Sequence, residues 1–299
     1  MSAPDRLTFI GGGHLAQAVL SGIYSSETAW KDSCAVAVTA RRPEHAAQLR
    51  RRYPLALATT DNLHPRIWAA DDRGADPHHH HHHVVFICTR PAEVPQVCHE
   101  IAGALAALRA AARPTVVTMC PGVSVAQLLS WLPRGTPVVR SMPNLPVTRR
   151  QGATALFPSA DAVGGSVELV AAVLGLVSPA VSVLPEESLL DVAASVSGSA
   201  PAYFYYLIES LVSAAEARGM SVETARSLVV QSCLGSGVLA RDSDKPVRVL
   251  REEVCVPGGS TEKAVAHMMD KGLPDIVLGA VDRSLKANRE MGCVRDEQV

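Results

Sequence analysis

Net charge is almost absent from this chain: 28 Lys and Arg stand against 29 Asp and Glu, leaving −1 at pH 7. Without a basic field, neither nucleic acid nor a membrane surface is expected as the main partner. Long hydrophobic runs are missing too. The most apolar stretch, residues 170–184, is broken by Pro179 and falls short of the about 20 residues that a spanning helix needs. Residues 1–4, ahead of the first apolar run, are too few for a signal peptide. The seven cysteines (34, 88, 98, 120, 233, 255 and 293) form no C-x-x-C pair and mostly sit among apolar neighbours. They read as small core residues in a reducing compartment, the cytoplasm, and not as disulfides or metal ligands.

What remains is a globular chain. With 47% hydrophobic and 19% charged residues it has material for a large apolar interior, and 299 residues suggest about two domains. Residues 7–10 form a short apolar strand candidate that runs straight into Gly11-Gly12-Gly13-His14-Leu15-Ala16 and a helical pattern reaching residue 23. This is G-x-G-x-x-A placed between strand and helix. Ala16 allows the helix to approach the strand, and the helix start faces a pyrophosphate. Residues 34–39 read as the second strand. Where an NAD site usually places a carboxylate, this chain has Thr39, Ala40, Arg41 and Arg42. An arginine pair suits a 2′-phosphate, so NADPH is expected, with NADH as the alternative. Two solvated arginines are the plainer explanation.

Periodicity fails over residues 62–83, which end in six histidines (78–83) before a strand at 84–88. With no Cys or carboxylate pattern around it, the run reads as a solvated loop insertion, and no metal site is assigned. A helix at 93–111, a strand at 114–120, a short helix at 125–131 and a strand from 138 follow. The segment 153–157, a helix near 168–176 and a last strand at 180–184 complete the alternation. Such alternation predicts a mostly parallel, doubly wound sheet. Beyond Pro185 only helical patterns remain, so an α/β Rossmann-like domain over 1–185 is expected, with an all-α domain over 186–299. A pattern over 221–240 is apolar on most sides and must be covered, by its own domain or by a second subunit.

The stretch Val256-Pro257-Gly258-Gly259-Ser260-Thr261 is the expected seat of the chemistry. Its glycines let backbone lie against a ligand, and Ser260 or Thr261 is placed to cap the helical pattern of 262–270. The amides left at such a helix start bind a small anion, most simply a carboxylate. An ordinary turn and cap would look the same in this stretch alone.

Taken together, Ile10-Gly-Gly-Gly-His-Leu-Ala16, Arg140-Ser-Met-Pro-Asn144, Ser197-Gly-Ser-Ala-Pro-Ala-Tyr203 and Pro257-Gly-Gly-Ser-Thr261 resemble the pyrroline-5-carboxylate reductase family in order and spacing. The resemblance runs along nearly the whole chain. It implies hydride transfer from NAD(P)H to the C=N carbon of a cyclic imino acid. It also implies a substrate seated between the cofactor domain and a helical domain that forms an interlocked homodimer, often assembled further. By resemblance, Asn144 lies near the nicotinamide, Gly258 to Thr261 receive the substrate carboxylate, and the Thr261 hydroxyl is catalytic, meeting the ring nitrogen. The cofactor set is then Gly11, Gly13, His14, Leu15, Ala16, Arg41, Arg42, Thr89, Pro91 and Asn144. The substrate set is Val256, Gly258, Gly259, Ser260 and Thr261.

A protonated imine is already electrophilic, so orientation and a grip on the carboxylate are the main demands. The five lysines (31, 245, 263, 271 and 286) leave the middle of the chain without one, which excludes the mid-chain catalytic lysine of a β-hydroxyacid dehydrogenase. The chain also departs from the family pattern. Val256 replaces a serine, Ala200 a glycine and Leu145 a threonine, while Thr89-Arg90-Pro91 stands for Val-Lys-Pro and Pro121-Gly122 for Ala-Gly. Three readings follow: proline synthesis, reduction of a modified pyrroline or piperideine carboxylate, or a non-catalytic dinucleotide-binding protein.

Overall fold

The computed structural model describes residues 4–25, 30–68, 82–109, 112–162 and 165–293. It divides into two compact units. One runs through Gly198 and takes in the chain again from Leu285; the other is Ser199–Ser284.

The first unit is an eight-stranded sheet in the order β3-β2-β1-β4-β5-β6-β7-β8. Its strands are β1 (Arg6–Ile10), β2 (Ala35–Thr39), β3 (Leu57–Thr59), β4 (His83–Ile87), β5 (Thr115–Thr118), β6 (Val138–Pro143), β7 (Ala153–Pro158) and β8 (Ala180–Val183). Sequences such as AVAVT and HVVFI are apolar on both sides because helices cover both faces of the sheet. Leu7, Phe9 and Phe86 point into one core and Ile10, Val85 and Ile87 into the other. The rings of Phe9 and Phe86 stack at 5.1 Å across the adjacent strands β1 and β4.

Helices α1 (His14–Ser25), α2 (Trp30–Ser33), α3 (Pro43–Arg52), α4 (Pro65–Trp68), α5 (Val94–Ala107), α6 (Val125–Trp131), α7 (Ser166–Gly175) and α8 (Leu189–Ala193) connect or flank the strands. Ala16 on α1 is fully buried, which is the close helix–strand approach that its place in the glycine motif predicts.

Three features depart from the sequence expectation. β3 is an additional strand, only three residues long. β7 runs antiparallel to β6, so β7 and β8 reverse the direction of the sheet at one edge. The third departure concerns the histidines. Residues 78–81 lie outside the described residues, but His83 opens β4 and pairs in register with Arg6. Its Nε2 lies 3.0 Å from the Thr8 hydroxyl. His82 is tied down as well: its carbonyl accepts from the Asp5 and Arg6 amides, and its own amide donates to Asp5 Oδ2. Burial, reinforced by the charge of Arg6, lowers the His83 pKa to about 3. The end of the run is thus strand, not solvated loop, because β1 needs a partner as long as itself.

α8 leads into a π-helical turn, Ala194–Gly198, which closes the first unit beyond residue 185, where the sequence pattern changes. The reason is electrostatic. Arg140 of β6, almost wholly buried, donates to Glu187 Oε1 at 2.6 Å and lies 3.8 Å from Asp191. Glu187 also accepts the Val125 amide that opens α6.

The second unit holds α9 (Ala200–Glu216), α10 (Val222–Asp242), α11 (Val247–Val254) and α12 (Ser260–Asp270), and α13 (Leu273–Cys293) begins there. Pro201 sits in the first turn of α9, where a missing N–H costs nothing. The Ser221 hydroxyl caps α10 by accepting from Thr224 N. Ala225 is the one buried hydrophobic residue described in this unit, while Phe204, Leu228, Leu234 and Leu239 are exposed. No described helix is long and apolar enough to cross a membrane.

Candidate active site

The chain runs β1, β2, β3 toward one edge of the sheet, then returns to place β4 on the other side of β1. The C-terminal ends of β1 and β4 therefore border the crevice where the strand order reverses, the usual ligand position in such sheets. Gly11 leaves β1 with φ +97°, and a Cβ there would press on the Cys88 carbonyl at 3.0 Å. Its amide donates to the Thr39 hydroxyl at 3.3 Å. Thr39, which stands where a carboxylate was looked for, thus braces the glycine turn from the end of β2. A Cβ on Gly12 would meet the Leu49 Cδ1 at 2.4 Å, so a side chain there would have to displace Leu49. Gly13 and His14, by contrast, are exposed at the start of α1, with Leu15 half-buried behind them. The first amides of α1 have no partner within the helix and face outward, as a pyrophosphate requires.

Thr89 supplies a second sign of a ligand. Its Oγ1 is buried and has no hydrogen-bond partner among the described residues, and the residue lines the crevice with its Cγ2 toward Gly11. A buried hydroxyl left alone costs about 1–3 kcal/mol, so an occupant that bonds to it would be strongly favoured. Pro91 begins the 3-10 turn Pro91–Glu93 just beyond. A cleft of about 160 Å³ lies between the ends of β1 and β2 and the helix that follows β4, lined among others by Gly11, Ala40, Arg41, Asn62, Thr89 and Glu93.

The two arginines differ in this setting. Arg41 is paired with Glu93 Oε1 at 2.5 Å. The Arg42 side chain is exposed, and as the residue before α3 it has no ion-pair partner among the described residues.

Asn144 follows β6 and spends its side chain on the protein itself. Oδ1 accepts the Ala153 amide at 2.9 Å, while Nδ2 donates to the Ser197 carbonyl at 3.3 Å. It clamps β6 to β7 and to the π turn. The buried thiols stay protonated: burial raises the pKa of Cys88 well above its usual value and that of Cys98 to about 12.

In the second unit, residues 256–261 form the turn that precedes α12. Gly258 has φ +75°, and a Cβ on Gly259 would strike the Val256 carbonyl at 2.8 Å, the same oxygen that accepts the Gly259 amide. Both glycines are therefore dictated by geometry. The cap differs from the expectation: Gly259, in extended conformation, is the N-cap, and neither Ser260 nor Thr261 caps with its side chain. α12 starts at Ser260 because Pro257-Gly258-Gly259 completes the turn before any hydroxyl is reached. The consequence is useful chemically, because the exposed Thr261 hydroxyl is not consumed by a cap. The Gly258 amide donates to Glu262 Oε2 at 2.7 Å, so a carboxylate already sits against this turn.

Comparison with known proteins places these features in a family. A family described as pyrroline-5-carboxylate reductase dimerisation matches residues 187–291, and one described as NADP oxidoreductase, coenzyme F420-dependent, matches residues 6–110. The chain is 41% identical over 287 residues to the delta-1-pyrroline-5-carboxylate reductase apf3 of Gibberella fujikuroi, covering 95% of each chain. The chain belongs to the pyrroline-5-carboxylate reductase family. It shares 31% identity over 299 residues with the family member of Mycobacterium leprae, covering 94% of this chain and 95% of that one. The solved reductase of Coxiella burnetii aligns with TM-score 0.84 and 26% identity over 97% of this chain and 99% of that one. Membership makes the chain an NAD(P)H-dependent oxidoreductase acting on C=N bonds.

Of the residues named from sequence, Gly11, Arg41 and Thr89 line one crevice, while Gly13 and His14 are exposed at the start of α1. Sequence reasoning missed Glu93, Thr39 as a brace and Glu262. The partnership of Glu93 with Arg41 spans 52 positions and that of Thr39 with Gly11 spans 28, so neither shows in a local pattern.

Proposed function

We propose that the chain reduces 1-pyrroline-5-carboxylate to L-proline with NADPH, acting on the ring C=N bond. When bound, NADPH supplies the hydride. The Gly11 turn and the start of α1 hold its pyrophosphate, Thr89 Oγ1 bonds to it, and Arg41 and Arg42 meet its 2′-phosphate. The turn at Val256, Gly258, Gly259 and Ser260 takes the substrate carboxylate, and the Thr261 hydroxyl meets the ring nitrogen. The observation that carries the substrate assignment is the Gly258–Glu262 bond: this turn accepts a carboxylate in the geometry it already has. A substrate carboxylate would take the Gly258 amide from Glu262 or use the amides of Ser260, Thr261 and Glu262, which helix geometry leaves without intrahelical acceptors.

A second reading is favoured by Val256 and Leu145, which are 65% and 57% exposed. Two apolar side chains stand free where the family offers hydroxyls, and a ring bearing a methyl group would gain by burying it against either. The exposed apolar face of α9 and α10, with a groove of about 740 Å³ between them, supports a homodimer.

The test is NADPH oxidation against pyrroline-5-carboxylate, methyl-substituted pyrroline carboxylates and piperideine carboxylates. Turnover of the unsubstituted ring supports the proposal. NADPH binding without turnover of any ring would leave a non-catalytic dinucleotide-binding protein instead.

A further inference from the structure

The Arg41–Glu93 pair gives the cofactor cleft an internal opponent of the 2′-phosphate. β2 ends in Thr39-Ala40-Arg41, without the carboxylate that NAD-type sites use to accept the ribose hydroxyl. A carboxylate nevertheless stands in the same cleft, delivered from the other side by the 3-10 turn after β4. Glu93 lines the cleft with Gly11, Arg41 and Thr89, and its Oε1 receives Arg41 at 2.5 Å. Its Oε2 accepts the Arg90 amide, so the side chain is anchored to its own turn. Glu100 lines the cleft as well, engaged by Asn62 Nδ2 at 3.0 Å. Among the described residues the cleft therefore presents one guanidinium and two carboxylates.

We infer that Glu93 is a specificity-determining residue for the cofactor: it competes with the 2′-phosphate for Arg41 and offers an acceptor to an unphosphorylated ribose. A phosphate entering the cleft must take Arg41 away from Glu93 and then lie near an uncompensated carboxylate. A 2′-hydroxyl leaves the pair intact and donates to it. Glu93 thereby narrows the preference for NADPH over NADH that Arg41 and Arg42 create. The inference rests on the reading of this crevice as the dinucleotide site.

The experiment is calorimetric binding of 2′-phospho-ADP-ribose and ADP-ribose to the wild type, Glu93→Gln, Arg41→Ala and the double variant. Gln keeps the hydrogen bond to the Arg90 amide, since Glu and Gln serve alike at this position of a capping box. Glu93→Gln is expected to tighten 2′-phospho-ADP-ribose about two- to five-fold, the range of a solvent-exposed ion pair. ADP-ribose binding should stay level or weaken. In the Arg41→Ala background the gain should vanish, because nothing remains to be released. An unchanged or reduced ratio of the two affinities in Glu93→Gln overturns the inference while leaving the dinucleotide site standing. A gain that persists without Arg41 overturns it too, as mere removal of negative charge. Failure of the wild type to bind either compound would remove the crevice reading itself and the inference with it.

Discussion

Thr89→Val should make the free protein more stable and the cofactor complex weaker. Val keeps the β-branched shape, so backbone preference and packing are little changed, while the buried Oγ1, which has no partner among the described residues, disappears. In the free protein that hydroxyl is a desolvated group with nothing to repay it. Replacing it by a methyl should return about 1 kcal/mol, or roughly 2–4 °C in Tm for a unit of this size. In the complex the same hydroxyl makes a bond of about 1 kcal/mol, so the Kd for NADPH should rise about five-fold. Thermal unfolding without ligand and fluorescence titration with NADPH measure the two effects on one sample. A fall in Tm would show that the hydroxyl serves the fold. An unchanged Kd would show that it faces no ligand. Either result refutes the reasoning, which requires opposite signs.

The other predictions follow from individual groups. Replacing Arg41 and Arg42 together by Ala should raise the KM for NADPH well above any change for NADH, through loss of charge-assisted contacts; an unchanged ratio would remove the phosphate assignment. Thr261→Ala should lower kcat/KM for the imine roughly ten-fold, the cost of a hydrogen bond of ~1.5 kcal/mol, with NADPH affinity steady; wild-type turnover would make the turn purely structural. For His83 the sign is set by its pKa, about 3 in the fold against 6.5 in the free side chain. Between those values the unfolded chain binds a proton that the fold refuses, so the stabilisation is complete above pH 6.5 and is lost as pH falls toward 3. Its steepest slope is about 1.4 kcal/mol per pH unit. Denaturant titrations of the wild type and His83→Gln should show a shallower acid slope in the variant, and equal slopes would contradict the burial argument.

What the sequence disclosed and what it hid divide along a physical line. The glycine turn at 11–13 and the Pro257-Gly258-Gly259 turn were legible because backbone geometry limits which residues can stand there. The helices at 125–131 and around 200–216 were legible from periodicity and proline placement. β3 escaped because three residues cannot display an alternation, and the reversal at β7 because strand direction leaves no mark on composition. The cap of α12 was misplaced by two hydroxyl residues that look like caps, although the proline and glycines upstream had already turned the chain. His83 was assigned to a loop because the run it ends is low in complexity, whereas its surroundings are decided by Thr8 and Arg6, far away in the chain. The pairings Arg41–Glu93 and Asn144–Ser197 are tertiary and carry no local signal.

The central claim is a hydride delivered to the imine carbon of a cyclic imino acid, and isotopic labelling tests it directly. The protein would be incubated with pyrroline-5-carboxylate and NADPH deuterated at nicotinamide C4, in each diastereomer separately, and the product analysed by mass spectrometry. The account predicts L-proline carrying one deuterium at C5, the former imine carbon, from one of the two diastereomers alone. Proline without deuterium from either diastereomer, or no proline while NADPH is bound, would contradict it.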